Sequence, residues 1–175
     1  MSLHLRRAAT ILGAWIALTV AATGTPAGAA PNPDDSLDQA RRATARYHQV
    51  SVALEDGYVP TPHCIAHPAL GGMGIHYVNP ARIADPRINA SEPEILLYEP
   101  HPDGGLRLVG VEWFAVDPDQ NVATDDGRPE LFGVPFDGPM PGHGPNQPVH
   151  FDLHAWTWKH NTAGTFAPFN PDVTC

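Results

Sequence analysis

The chain has 175 residues, 42% of them hydrophobic and 17% charged, a profile that fits one folded globular domain and excludes a disordered or collagenous protein. Ten Lys and Arg stand against 19 Asp and Glu, a formal charge of -9, so a nucleic-acid backbone is excluded as an expected partner. The 20 prolines, most of them scattered between Pro31 and Pro171, rule out long helices over most of the chain and leave strands and ordered loops.

The first element in chain order is a leader. Arg6 and Arg7 open it, Ala8 to Val20 is uncharged and apolar, and Ala27-Gly28-Ala29 supplies the small residues at which a signal peptidase cuts. The pattern predicts an export signal over 1–29, cleaved to leave one soluble domain over 30–175. An apolar run of about 13 residues falls short of the roughly 20 that span a bilayer, so membrane insertion is not expected. Beyond the membrane conditions are oxidising, and Cys64 and Cys175 are expected to pair. The rival use of Cys64 is as a metal ligand beside His63 or His67.

The next element is a helix. From Ser36 to about Glu55 there is no proline, and Leu37, Ala40, Tyr47 and Leu54 recur at helical spacing, with Asp35 or Ser36 as cap and Gly57 as stop. Four strands follow, at Gly74 to Val78, Glu94 to Glu99, Leu106 to Val116 and Val149 to Trp158. Leu106 to Val116 is apolar on both faces, as a central strand covered on both sides would be. His101-Pro102-Asp103-Gly104-Gly105 before it is a turn, which makes 94–116 a hairpin. Two long connections remain, Asn79 to Pro93 and Asp117 to Pro148, the second apolar enough at Phe132, Val134, Phe136 and Met140 to be an ordered cover. Asp117-Pro118-Asp119-Gln120-Asn121 imitates the start of a calcium loop, but Val122 and Arg128 stand where such a loop needs glycine and glutamate, so it is read as an acidic turn. The fold class expected is α+β, one amino-terminal helix on an antiparallel sheet of four or more strands. The alternative is an all-β, cupin-like barrel with the helix appended.

Chemistry concentrates in the last strand. Alternation places Val149, Phe151, Leu153 and Ala155 on one side of it, and His150, Asp152, His154, Trp156 and Trp158 on the other. On a strand His150 and His154 lie about 13 Å apart, too far to share an ion, so further ligands must come from neighbouring strands; on a helix the same pair at i and i+4 would share a face and could chelate together, but the clean alternation favours the strand. His76 and Glu112 are the candidates. A carboxylate between Val111 and Trp113 in a doubly covered strand is costly unless paired, protonated or metal-bound, and Arg107 is the structural partner to weigh against a metal. The expected site is therefore a mononuclear transition-metal centre of His76, Glu112 and His154, with His150 as fourth candidate and Asp152 orienting a ligand from behind. Imidazole with carboxylate suits zinc, copper, iron or manganese, and leaves binding, redox and hydrolytic roles open.

A second class of function stays open beside it. Tyr77, Trp113, Trp156 and Trp158, if they share a surface, make a metal-free binding module for a carbohydrate or another flat small molecule. No G-x-S-x-G nucleophile motif is present, and Gly71-Gly72-Met73-Gly74 precedes a strand rather than the helix a phosphate cradle needs. The stretches Gly72 to Pro80, Pro93 to Pro100 and His150 to Trp156 resemble a family of exported bacterial proteins without an assigned activity. That resemblance implies a secreted single-domain protein and transfers no catalytic residue.

Overall fold

A computed structural model describes residues 33–144 and 147–175. The leader and its cleavage site lie outside the described residues. The predicted helix is present but broken. α1 spans Pro33–Thr44, a 3-10 turn covers Ala45–His48, and α2 covers Val50–Glu55. At the junction the Thr44 hydroxyl donates back to the Ala40 carbonyl at 2.7 Å, a bond that bends helices, and Gln49 is extended. The kink buries Tyr47, whose hydroxyl donates to Asp56 and whose ring meets Tyr58 edge-on. α1 begins at Pro33, earlier than Ser36, because proline is tolerated in a first turn.

The strands are β1 (Val59–His67), β2 (Gly71–Val78), β3 (Ile95–Pro100), β4 (Leu106–Val116), β5 (Glu130–Leu131), β6 (Val134–Pro135), β7 (Asp137–Met140) and β8 (His150–Ala155). Six of them form one antiparallel sheet in the order β1-β2-β3-β4-β8-β7, with β5 and β6 a separate small hairpin. The α+β expectation therefore holds, and the barrel does not form: β1 and β7 are opposite edges of an open sheet. A short helix α3 (Pro80–Ile83), capped by the Asn79 side chain, follows β2.

β1 is absent from the expected strands because Pro60 and Pro62 read as loop. Both are accommodated at an edge, where a missing N–H costs nothing on the outer side, and the register slips between Pro60 and Cys64. Cys64 is bonded to Cys175, which overturns the reading of Cys64 as a metal ligand with His63 or His67. The disulfide holds the carboxyl-terminal segment against the sheet. Asn170 pairs with Gly72, and a Cβ on Gly72 would lie 2.8 Å from the Val173 side chain, so the tail can come this close only over a glycine.

Two apolar layers sandwich the sheet. On one face Tyr77, Leu96, Tyr98, Val111, Trp113, Phe151 and Leu153 pack on Leu37, Ala40, Tyr47 and Ala53 of the helical segment. The segment over 130–136 joins this layer: the tight β5–β6 turn sets Phe132 edge-on to Trp113 at 5.1 Å, and Phe136 is buried beside them. On the other face Ile95, Leu97, Val109, Phe114, Trp156 and Val173 form a smaller layer. β4 lies between β3 and β8 and is covered on both sides, as its sequence requires.

Candidate metal centre

The smaller layer carries the polar cluster. Glu112 on β4 is in register with His154 on β8, so their side chains leave the sheet on the same face as direct neighbours. His76 on β2 is in register with Leu97, and Glu112 with Ile95, so His76 reaches diagonally over β3. Gly74 helps to position it: at φ +95° the backbone closes on Tyr98, and a Cβ there would lie 2.6 Å from the Tyr98 carbonyl oxygen.

His76 Nε2 is 3.2 Å from Glu112 Oε2, and His154 Nε2 is 3.5 Å from the same oxygen. One donor atom from each of the three residues lies within 4.8 Å of the others. Ligands about 2.0–2.1 Å from a tetrahedral ion sit roughly 3.3 Å apart, so spacings of 3.2 and 3.5 Å, which also fit an ion pair, are compatible with ligands sharing an ion. The cluster is deep, with Glu112 and His154 side chains only 5% and 2% exposed and His76 at 14%. Glu112 Oε2 and both ring nitrogens of His154 are buried without a hydrogen bond. Each such atom forfeits about 1–3 kcal/mol of hydration, which makes the orphaned set a strong departure from ordinary burial.

Electrostatics ties the three together. Burial would push the Glu112 carboxyl up, but the adjacent His154 and His76 imidazoles outweigh it and hold the carboxyl below its ordinary value. Burial would push His154 down, but the Glu112 carboxylate, followed by Asp152, raises it to about 9. A proton therefore supplies positive charge to the cluster when no cation does, and a metal displaces it. Asp152 Oδ1 lies 3.6 Å from His154 Nδ1, behind the ring and slightly beyond hydrogen-bond reach. That places a carboxylate where one orients a ligating imidazole.

Other expected residues lie elsewhere. His150 shares the strand face but not the cluster: it stacks on Phe114 at 4.5 Å, its Nδ1 meets the Pro148 carbonyl at 3.1 Å, and its Nε2 is 4.0 Å from Asp152. Four residues of strand separate it from His154, which is the physical reason it is no fourth ligand. Arg107 bonds His101 rather than Glu112, so the structural ion pair weighed against a metal does not form.

The aromatic surface does not assemble either. Tyr77 and Trp113 are neighbours of His76 and Glu112 in sequence, so alternation sends them to the opposite, helix-covered face, where Trp113 donates to the Asn89 carbonyl. β8 ends at Ala155. Trp156 stays in the smaller layer, 3% exposed and bonded to Ala167, whereas Trp158 turns away and donates to Thr44 on α1. Trp156 and Trp158 border a cleft of about 320 Å³ between α1 and the segment after β8, together with Arg41 and Lys159. Those charges are already engaged, Lys159 by Glu99 and Arg41 by the Thr157 carbonyl.

Sequence reasoning missed Glu94. Its carboxylate is 2% exposed, accepts from the Phe114 N–H at 3.1 Å, and is pushed up to about 7 by burial. The signal was the one that singled out Glu112, an acid set beside an apolar strand run. No family model, curated protein or solved structure matches the chain. Among the described residues no helix is long and apolar enough to cross a membrane.

Proposed function

We propose that the chain is an exported metalloprotein whose mature domain, 30–175, holds one first-row transition ion between His76, Glu112 and His154. The observation that carries this reading is the convergence of buried, unbonded Glu112 Oε2 and His154 Nε2 beside His76. Without an ion the arrangement is a buried charge cluster lacking the hydrogen bonds that make such clusters tolerable. Two imidazoles and one carboxylate are the donors of open zinc centres and of non-haem iron sites, and they do not suit calcium or magnesium. Export is supported by the basic, apolar and small-residue sequence of 1–29 and by a disulfide of the kind stable outside the cytoplasm.

Equilibrium dialysis of the chelator-stripped domain against zinc, copper, manganese and iron(II) tests the site. One ion per chain is expected, weakened at least 100-fold by Glu112→Gln. Equal binding by wild type and variant, or none by wild type, contradicts the reading. Amino-terminal sequencing of protein recovered from the medium of an exporting host tests the leader, with Ala30 expected as first residue.

A further inference from the structure

We infer that the metal bound here keeps at least one position open to a small exogenous oxygen or nitrogen ligand, so that the site is a substrate-binding centre and not a closed store. The inference rests on the metal reading above and adds what occupies the rest of the shell. Among the described residues the donor cluster contains three side chains. The two polar side chains that share the β8 face with His154 are both committed elsewhere. Asp152 points Oδ1 at the rear nitrogen of His154, on the side away from Glu112. His150 is fixed between Phe114, Pro148 and Asp152.

Part of the surrounding wall is apolar. Ile95 and Leu97 lie between His76 and Glu112 in the register of the sheet, and Phe114 follows Glu112 on the same face, all three buried. They offer no donor. Four coordination is the least that zinc accepts and iron or manganese takes more, so with three protein donors the balance comes from solvent or substrate. His76 is the most exposed of the three ligands, at 14%, which puts the approach on its side. With the Glu112 and His154 side chains only 5% and 2% exposed, that approach admits a small molecule and not a bulky one. Charge selects further: a divalent ion with Glu112 carries one net positive charge, Asp152 behind His154 offsets it, and Asp137, paired with Asp152 across β7 and β8, adds negative charge nearby. Water or a neutral nitrogen base therefore suits such a centre better than an anion, which would leave a net negative charge buried there.

The test uses cobalt(II), whose visible bands report coordination. The intact domain is loaded with one equivalent by dialysis and titrated with imidazole and, separately, with azide. The expected result is one cobalt per chain and a saturable change of the bands with at least one probe, while His150→Phe, which preserves a ring against Phe114, leaves the cobalt spectrum unchanged. Stoichiometric cobalt with bands that neither probe alters means a closed shell and overturns the inference, leaving the metal site standing. A spectrum changed by His150→Phe in a variant that melts like wild type makes His150 the fourth ligand and also overturns it. No cobalt binding at all removes the metal reading itself, and the open position with it.

Discussion

Glu112 is the residue around which the others are organised, because a carboxylate at the centre of a doubly covered strand needs a cation and has two imidazoles directed at it. Asp152 stands behind the His154 ring. Replacing it with asparagine keeps its shape and removes the charge behind His154, and a 10- to 100-fold loss of zinc affinity is expected by competition with a chromophoric chelator. Unchanged affinity would show that the 3.6 Å approach does nothing. Glu94 provides a pH prediction separate from the metal. Burial raises it from 4.5 to about 7, so between those values the folded chain holds a proton that the unfolded chain has lost. Stability therefore falls as pH rises through that window and stays lower above it. In chelator, Glu94→Gln is expected to match wild type near pH 4 and to exceed it near pH 8 by up to about 3 kcal/mol, measured by urea unfolding. A difference that does not vary with pH contradicts this.

At the scale of elements, strands with period-two alternation were legible from sequence, and those with proline or too few residues were not. β4 and β8 reveal their faces residue by residue, which is why Glu112 and His154 could be placed opposite one another. β1 hides behind Pro60 and Pro62, and β7 is only four residues within a loop that a sequence shows as irregular. The break at Gln49 was illegible because apolar periodicity continues through it, and tertiary burial of Tyr47 decides it. Trp158 was misplaced because alternation was extended past Ala155, where the backbone leaves the ladder and Thr157 N–H turns back to the Ala155 carbonyl. Register across three strands also cannot be read from one chain, so the diagonal reach of His76 over β3 required the fold. The edge element β1 is tied to the carboxyl terminus by Cys64–Cys175 across 111 residues. Replacing both cysteines with serine is expected to cost about 2–5 kcal/mol in thermal or denaturant unfolding, and no loss would mean the tail is held by Val173 and its neighbours alone.

For the whole molecule, the sheet uses its two faces differently. The helix side supplies the larger apolar layer, and the other side accepts a smaller one interrupted by buried polar groups. A ligand that binds only the folded chain recovers that cost through mass action. Zinc at about 100 times its dissociation constant is expected to add about 2.7 kcal/mol, seen as a rise of several degrees in melting temperature that Glu112→Gln abolishes. An equal rise in that variant would place the stabilising ion elsewhere, for instance on the exposed His63.

The most direct measurement is a crystal structure of residues 30–175 grown with one equivalent of zinc, with anomalous difference data collected on both sides of the zinc edge. One strong peak is expected, about 2.0–2.2 Å from His76 Nε2, Glu112 Oε2 and His154 Nε2. Stoichiometric zinc in the protein with no peak among these three residues would contradict it.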